Sequence, residues 1–274
     1  MSDEVKQEYL LGTHDEEIER LGVQHRAWRP QVLACWRRAG ITAGSRVLDV
    51  GAGPGYATVD LAEIVGPAGR VLAIERSARF LAVAREACAR RGLANVDFRE
   101  MDLMTEPLGA SGLDASWCRW VAAFVSSPAR LVAEIARALR PGGVAMFHEY
   151  GAYETWRLAP RGPAHDSFVS MVVKSWRETG GEPDVGLELP GLLDGAGFRL
   201  RSASPLIFAL RPDDYMWRWP AGFIEIHLRR QLEQGRVERA WADSVLRELR
   251  AAEADPASLM ITPLVLEVVA EKIG

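Results

Sequence analysis

The composition describes an ordinary globular chain. It has 274 residues, of which 48% are hydrophobic and 26% charged, and its formal net charge is −4. These values predict one domain with additions and exclude a disordered, collagen-like or coiled-coil chain. No apolar run reaches the ~18 residues of a membrane-spanning helix, the polar start lacks a signal-peptide core, and no basic stripe is visible. We therefore expect a cytoplasmic protein that binds neither membrane nor nucleic acid.

The cysteines point to the same compartment. Cys35, Cys88 and Cys118 lie far apart in the sequence. Their spacing excludes a CxxC-type zinc site and a disulfide framework, and it is typical of a reducing cytosol. We expect no bound metal.

The first 44 residues are predicted to form a helical cap. Residues 13–27 have the pattern of an amphipathic helix, which Thr13 and Glu16 can open as a capping box. A second short helix is predicted from Pro30 to Arg38, ending at Gly40.

From residue 45 to residue 150, strands and helices alternate regularly. Strands are predicted at 46–50, 70–75, 96–100, 113–118 and 144–149, and the helices between them at 56–65, 77–91 and 127–140. This alternation predicts an α/β core whose mostly parallel sheet carries helices on both faces.

The alternation stops after Tyr150. Residues 151–185 are predicted to be a cap insert with one helix at about 164–179. Residues 186–274 are expected to complete the sheet through a short helix (189–196) and strands at 198–210 and 263–270, with a helical insert at about 213–254.

A glycine-rich turn follows the first predicted strand in the segment Val47-Leu48-Asp49-Val50-Gly51-Ala52-Gly53-Pro54-Gly55. Glycines there permit positive φ angles and let a ligand approach the backbone closely. A dinucleotide site has the spacing G-x-G-x-x-G, but Tyr56 stands in the place of its third glycine. Asp49 would also disfavour a pyrophosphate, whereas a ligand with an ammonium group would tolerate it.

This segment resembles the D-x-G-x-G-x-G motif of class I S-adenosylmethionine (SAM)-dependent methyltransferases. The resemblance covers residues 45–150, because Glu75, Asp102 and the turn 139–143 also stand where the family has functional elements. It implies a Rossmann-like seven-stranded sheet, SAM as cofactor and S-adenosylhomocysteine (SAH) as product. It also implies cofactor contacts from nine residues: Asp49, Gly51, Ala52, Gly53, Gly55, Glu75, Arg76, Asp102 and Leu103. Arg119 ends the fourth predicted strand, whose carboxyl end lines the ligand crevice in this kind of sheet, so it could contact the cofactor or the acceptor.

Three of these positions keep alternatives. Asp49 could contact the cofactor or brace the loop by accepting backbone amides. Glu75 is placed by the family at the ribose hydroxyls, and the alternative for it is an acid at a helix N-terminus stabilised by the helix dipole. Asp102 is placed by the family near the adenine amino group. Glu100 lies close to Asp102 and could be the acid that points inward instead.

The N-terminal stretch has a second resemblance. Tyr9-Leu10-Leu11-Gly12, Glu19-Arg20-Leu21 and Gln24-His25 are similar to the cap of UbiE-like small-molecule methyltransferases and their secondary-metabolism relatives. The resemblance implies that Tyr9, Arg20 and Gln24 close over the methionine end of SAM. The alternative is that Arg20 and Gln24 lie on the solvent face of a helix.

Catalytic candidates lie at the end of the fifth predicted strand, because the carboxyl ends of strands line the ligand crevice in this kind of sheet. His148 could remove a proton from an acceptor, since its ordinary pKa lies near neutrality. Glu149 could orient a base or act as one. The alternative for His148 is a histidine satisfied by backbone groups at a strand end.

Aromatic residues are concentrated outside the repetitive core. They could wall an acceptor pocket or pack the inserts onto the core, and packing is expected for at least half of them. Trp117 is expected in the core. The substrate-binding candidates are Trp120, Tyr150, Tyr153, Trp156, Trp217, Trp219 and Phe223.

These features predict methyl transfer from SAM to an O, C or N nucleophile of a small, apolar or aromatic acceptor. A SAM-binding protein that does not methylate, such as a cyclase or a sensor, is the alternative. A macromolecule methyltransferase is disfavoured, because Cys118-Arg119-Trp120-Val121 stands where an N/D-P-P-Y-type motif would be. A homodimer stays open.

Overall fold

The protein begins with one long helix where two were predicted. The structure, a computed structural model, describes residues 14–274, and Pro30 lies inside the first helix, α1 (Asp15–Ala39). The prediction of a break was wrong because the buried face continues across the proline through Trp28, Val32 and Trp36. Packing of that face offsets the backbone hydrogen bond that the proline removes. The predicted cap residue Thr13 lies outside the described residues.

The remaining elements follow the predicted alternation closely. The helices are α2 (Tyr56–Val65), α3 (Ala78–Arg90), α4 (Pro128–Ala138), α5 (Pro163–Glu178), α6 (Leu189–Gly195), α7 (Arg218–Glu233) and α8 (Arg239–Ala254). The strands are β1 (Arg46–Val50), β2 (Arg70–Glu75), β3 (Val96–Glu100), β4 (Leu113–Arg119), β5 (Leu139–Ala152), β6 (Arg157–Ala159), β7 (Phe198–Leu206), β8 (Ala209–Leu210), β9 (Leu259–Ile261) and β10 (Leu264–Lys272).

Seven strands form the central sheet in the order β3-β2-β1-β4-β5-β10-β7. The pairs among β1 to β5 are parallel, whereas β10 runs antiparallel to both of its neighbours. The order of strands reverses between β1 and β4, and ligands bind at such a switch point outside the carboxyl ends of the strands. The predicted Rossmann-like, seven-stranded fold is confirmed.

The strand predictions differ from the structure at two places. β5 begins at Leu139 and includes the Pro-Gly-Gly stretch that was expected to be a turn. The strand predicted at 198–210 is divided, because β8 leaves the central sheet and joins β9 and β6 in a separate three-stranded sheet. Strands of two or three residues carry no readable period, so the sequence could not indicate this small sheet.

The helices outside the core lie against one another. α1 contacts α7, and α5 and α7 both contact α8. No helix within residues 14–274 combines the length and the apolar character that crossing a bilayer requires.

Candidate functional site

The glycine-rich turn lies at the end of β1, and each of its glycines has a distinct reason to lack a side chain. Gly51, Gly53 and Gly55 have φ angles of +63°, +55° and +83°, which L-residues rarely adopt. A Cβ on Gly51 would collide with Val121, and one on Gly55 would lie 2.5 Å from the Cβ of Ala84. A Cβ on Gly53 would meet nothing within 4 Å. The space above Gly53 is therefore open.

Glu75, at the end of β2, holds this turn in place. Its Oε2 accepts a hydrogen bond from the Gly53 amide at 3.0 Å, and its Oε1 accepts one from the Ser77 amide at 2.9 Å. Burial raises the pKa of Glu75, although the amides oppose that shift. Each carboxylate oxygen has two lone pairs, so Glu75 can still accept hydrogen bonds from a ligand's hydroxyl groups.

Asp49 lies inside the turn and is nearly inaccessible to solvent. The Thr58 hydroxyl donates a hydrogen bond to its Oδ2 at 2.6 Å. Burial raises the pKa of Asp49 to about 6, and the Arg119 charge opposes this rise. The bracing alternative is thus realised through Thr58 in α2 rather than through backbone amides.

The other predicted cofactor residues occupy the neighbouring strand ends. Asp102 follows β3, and its Oδ1 accepts a hydrogen bond from the Met104 amide at 2.8 Å. Leu103 is buried, while Arg76 and Glu100 are exposed. Their assignment to the cofactor stays a prediction.

Three polar side chains of α1 form a buried row. Glu17 pairs with Arg20 through two hydrogen bonds of 2.8 and 2.7 Å, and Arg20 Nη1 donates to Gln24 Oε1 at 2.9 Å. All three are buried, so the solvent-face alternative for Arg20 and Gln24 is wrong. The predicted partner Tyr9 lies outside the described residues.

Arg119 ends β4 and is connected to α1. Its Nη2 lies 3.1 Å from Nδ1 of His25, whose Nε2 lies 3.0 Å from Asp60 Oδ2. The guanidinium also lies over the Trp120 ring, 5.2 Å from its centroid. Burial lowers the pKa of Arg119 to about 10.

His148 is fully buried on β5 and faces α1. Its Nε2 lies 3.0 Å from Glu267 Oε2, and its ring packs against Trp28 and Trp117. Burial lowers the pKa of His148, so its ring is neutral at pH 7 and donates to Glu267. Its partner is thus a carboxylate of β10 rather than a backbone group, and the expectation that Trp117 belongs to the core is confirmed.

Glu149 points to the loop that follows β4. Its Oε1 accepts hydrogen bonds from the Val121 and Ala122 amides at 2.7 and 2.9 Å. Burial raises its pKa to about 7, against the effect of these amides. The predicted catalytic roles of His148 and Glu149 stay predictions.

The aromatic candidates contact one another. Trp120 stacks on Tyr150 and on Trp219, each with ring centroids 5.6 Å apart, and its φ of +52° is strained for a residue with a side chain. Tyr150 contacts Tyr153, which contacts Trp156, and Trp156 contacts Phe223. Trp217 is bound elsewhere, since its indole donates to Glu253. The rings thus form one aromatic cluster above the carboxyl ends of β4 and β5, and its members are Trp120, Tyr150, Tyr153, Trp156, Trp219 and Phe223.

Two functional positions were missed in the sequence, although each left a signal. Glu267 is a buried carboxylate among the apolar residues of β10, and Arg38 binds its other oxygen at 2.5 Å. The Cys35 thiol also lies beside this pair, within 4.8 Å of possible ligand atoms of His148 and Glu267. Asp60 is likewise a buried acid on the apolar face of α2. An acid in an otherwise apolar element indicates a buried partner.

Residues 48–147 match the family model described as a methyltransferase domain. The chain is also similar to demethylmenaquinone methyltransferase of Lactococcus lactis, with 29% identity over 120 residues, 44% of this chain and 46% of the relative. The chain thus spans about half the length of this curated relative.

Solved structures share the fold. A Bacillus halodurans protein, solved as a candidate methyltransferase, has a TM-score of 0.59 at 20% identity and covers 88% of this chain and 98% of its own. The [4+2]-cyclase SpnF has a TM-score of 0.57 at 22% identity, covering 89% of this chain and 81% of its own. At these identities the likeness concerns the fold alone.

Proposed function

Residues 48–147 belong to the UbiE-like, class I SAM-dependent methyltransferases, and from this premise we propose that the whole chain methylates a small molecule. The acceptor supplies an O, C or N nucleophile and is apolar or aromatic. We place the cofactor in residues 45–150, under the N-terminal cap, and the acceptor beneath the inserts 151–185 and 213–254.

The open space over Gly53 is the observation that carries this proposal. Val121 and Ala84 occupy the space that side chains on the neighbouring glycines, Gly51 and Gly55, would need, whereas a side chain on Gly53 would enter free space. The surrounding groups suit SAM, because Glu75 can accept hydrogen bonds from ribose hydroxyls. Asp49, buried inside the turn, places a carboxyl group close to the site of a ligand that carries positive charge.

SAM, when bound, supplies a methyl group on a positively charged sulfur. The chain's own residues then have two tasks, which are to hold the acceptor in line and to exclude water. Glu75 and Glu149 fix the two loops around the crevice, through Gly53 and Val121 respectively. The aromatic cluster excludes water from the neighbouring space.

The aromatic cluster supports an apolar or aromatic acceptor. Trp120 stacks on Tyr150 and on Trp219, and ring faces of this kind favour offset stacking on another planar, apolar or aromatic group. The strained backbone of Trp120 sits at the strand end that borders the crevice. We therefore place the acceptor beside the Trp120 ring.

The surroundings of His148 and Glu149 favour an indirect role. Both side chains are fully buried and hold groups of the protein itself. An acceptor that is already deprotonated, or that loses its proton to solvent, needs no base from the protein. We infer that both act by fixing the end of β5, while direct proton transfer by His148 remains the prediction to test.

The same burial favours a second candidate, a SAM-binding protein that does not methylate. A cyclase or sensor would use the same cofactor turn and would need no base. Methyl transfer distinguishes the two, because only the first converts SAM to SAH in proportion to a methylated product.

Two measurements test the proposal. Thermal shifts with SAM, SAH, NAD and NADP test the cofactor, and stabilisation by NAD or NADP but by neither sulfur compound would contradict it. A screen of small aromatic and apolar acceptors with methyl-labelled SAM tests the reaction. Saturable SAM binding without label transfer to any acceptor would favour the second candidate.

A further inference from the structure

A chain of hydrogen bonds joins three elements around the crevice. Arg119 of β4 contacts His25 of α1, which contacts Asp60 of α2, and Arg29 of α1 donates to the same Asp60 oxygen at 2.7 Å. His25 and Asp60 are both buried. The chain therefore fixes the cap helix to the end of the strand beside the cofactor turn.

The chemistry of these groups fixes the proton on His25. An arginine can only donate hydrogen bonds, so Nδ1 of His25 must be an unprotonated acceptor toward Arg119 Nη2. Its Nε2 then carries the hydrogen and donates to Asp60. His25 thus holds Arg119 only while its ring is neutral.

The Nη1 nitrogen of Arg119 is buried and has no hydrogen-bond partner within residues 14–274. A buried guanidinium nitrogen without a partner is costly, and the natural partner is an anionic oxygen. Arg119 ends β4 next to the switch point, where the charge of Asp49 acts on it.

We propose that His25 is a positioning residue, which orients Arg119 so that Nη1 binds the α-carboxylate at the methionine end of SAM. This inference rests on the proposed function, since it assigns one residue to one group of that cofactor. Asp49 and Arg119 would then offer opposite charges to the ammonium and the carboxylate of the same ligand.

The inference predicts pH-dependent cofactor binding. The groups that face His25 are Asp60 and the Tyr56 ring of α2, Arg29 of its own helix, and Arg119 of β4. Burial lowers the pKa of His25 below its ordinary value of 6.5, Asp60 raises it, and Arg119 and Arg29 lower it further. Affinity for a ligand with the carboxylate should therefore fall as the pH drops below 6.5, because a protonated Nδ1 no longer accepts from Arg119.

Calorimetric titration with two ligands tests whether His25 and Arg119 act on the carboxylate. SAH carries the carboxylate, whereas 5′-methylthioadenosine has the same nucleoside and thioether but no amino-acid end. In His25→Leu and Arg119→Met we expect SAH to bind about tenfold more weakly or worse, while 5′-methylthioadenosine changes by no more than about twofold. His25→Asn should keep most of the SAH affinity, since its Oδ1 can accept from Arg119, and should lose the pH dependence.

His227→Leu is the matched control, because His227 is a buried histidine of α7 that takes no part in the hydrogen bonds between Arg119, His25 and Asp60. It should leave both affinities unchanged. Equal effects of His25→Leu on both ligands, or none on SAH, would overturn the inference and leave the proposed function intact. Should His25→Leu fail to fold, the wild-type pH series decides, since a fall for both ligands or for neither would also overturn it. If the wild-type protein bound neither ligand, the proposed function would fail as well.

Discussion

The carboxyl group of Glu149 lies 2.7 Å from the backbone nitrogen of Val121. Val121 in turn fills the space that a side chain on Gly51 would need. The loop after β4 is thereby tied to β5 on one side and pressed against the cofactor turn on the other. A single buried carboxyl group therefore influences the shape of the turn without lying in it.

Replacing Glu149 should separate its hydrogen bonds from its charge. Glu149→Leu leaves the part-buried amide of Val121 and the buried amide of Ala122 without an acceptor, so we expect the free energy of unfolding to fall by about 2–4 kcal/mol. Glu149→Gln keeps an oxygen near both amides and should lose less. Urea denaturation measures both variants, and a Leu variant as stable as wild type would refute the role of Glu149.

Glu149 should also make the stability of the protein depend on pH. Its pKa rises from 4.5 to about 7 on folding, so its contribution is present below pH 4.5 and is lost as the pH rises through 7. Wild type should therefore lose stability relative to Glu149→Gln between these values. Parallel curves for the two proteins would contradict the raised pKa.

Gly53→Val should abolish SAH binding while the protein stays folded. The valine side chain would occupy the open space over the turn, and the φ of +55° adds strain of about 1–2 kcal/mol. Gly40→Val is the control, because Gly40 has a φ of +88° with nothing within 4 Å at the end of α1. Both variants should lose similar stability, and unchanged SAH affinity in folded Gly53→Val would refute the placement of the site.

His148→Ala should lower turnover more than it lowers SAH affinity. The change removes one of the two partners of Glu267, leaving Arg38, and leaves a cavity beside Trp28, so we also expect a loss of about 2–4 kcal/mol in stability. His148→Gln can still donate to Glu267 and should recover part of the stability. If His148→Gln recovers stability but not turnover, the result would indicate proton transfer by His148. Unaltered turnover in His148→Ala would show that the role of His148 is structural.

Acid should destabilise the helical inserts. Burial lowers the pKa of His165 and of His227 to about 4, and the unfolded chain takes up these protons near pH 6.5. Stability should thus fall as the pH drops from 6.5 toward 4, by about 3 kcal/mol for each histidine. Both ring nitrogens of His165 lack partners within residues 14–274, so His165→Phe should be more stable than wild type at about pH 5. Chemical denaturation at several pH values checks this, and equal stability there would count against it.

The sequence predicted the core well because the core repeats a simple rule. Each strand of 45–150 is a short apolar run, and each following helix begins at a glycine turn or a capping serine, as Ser77 and Ser127 show. The cap was less readable, since a proline inside a helix looks like a boundary when the burial of Trp28 and Trp36 is unknown.

The candidate site was predictable where a motif fixes the backbone, and less so where side chains meet across elements. The glycine turn and Glu75 lie together as expected. The partners of His148, Arg119 and Glu149 come from β10, α1 and the loop after β4, and no spacing in the chain encodes these meetings. The predicted aromatic pocket is, in this structure, a set of rings in mutual contact.

That contact has an optical consequence. Trp120 and Trp219 are nearly parallel at 5.6 Å, and Trp28 stands almost perpendicular to Trp219 at 4.9 Å. Indoles held this close and at fixed angles couple their electronic transitions, and where the transition dipoles are not parallel this coupling gives a paired positive and negative band in circular dichroism. A molecule that slides between Trp120 and Trp219 would separate the coupled pair. The circular dichroism of the tryptophans can therefore report the binding of an acceptor that does not itself absorb light.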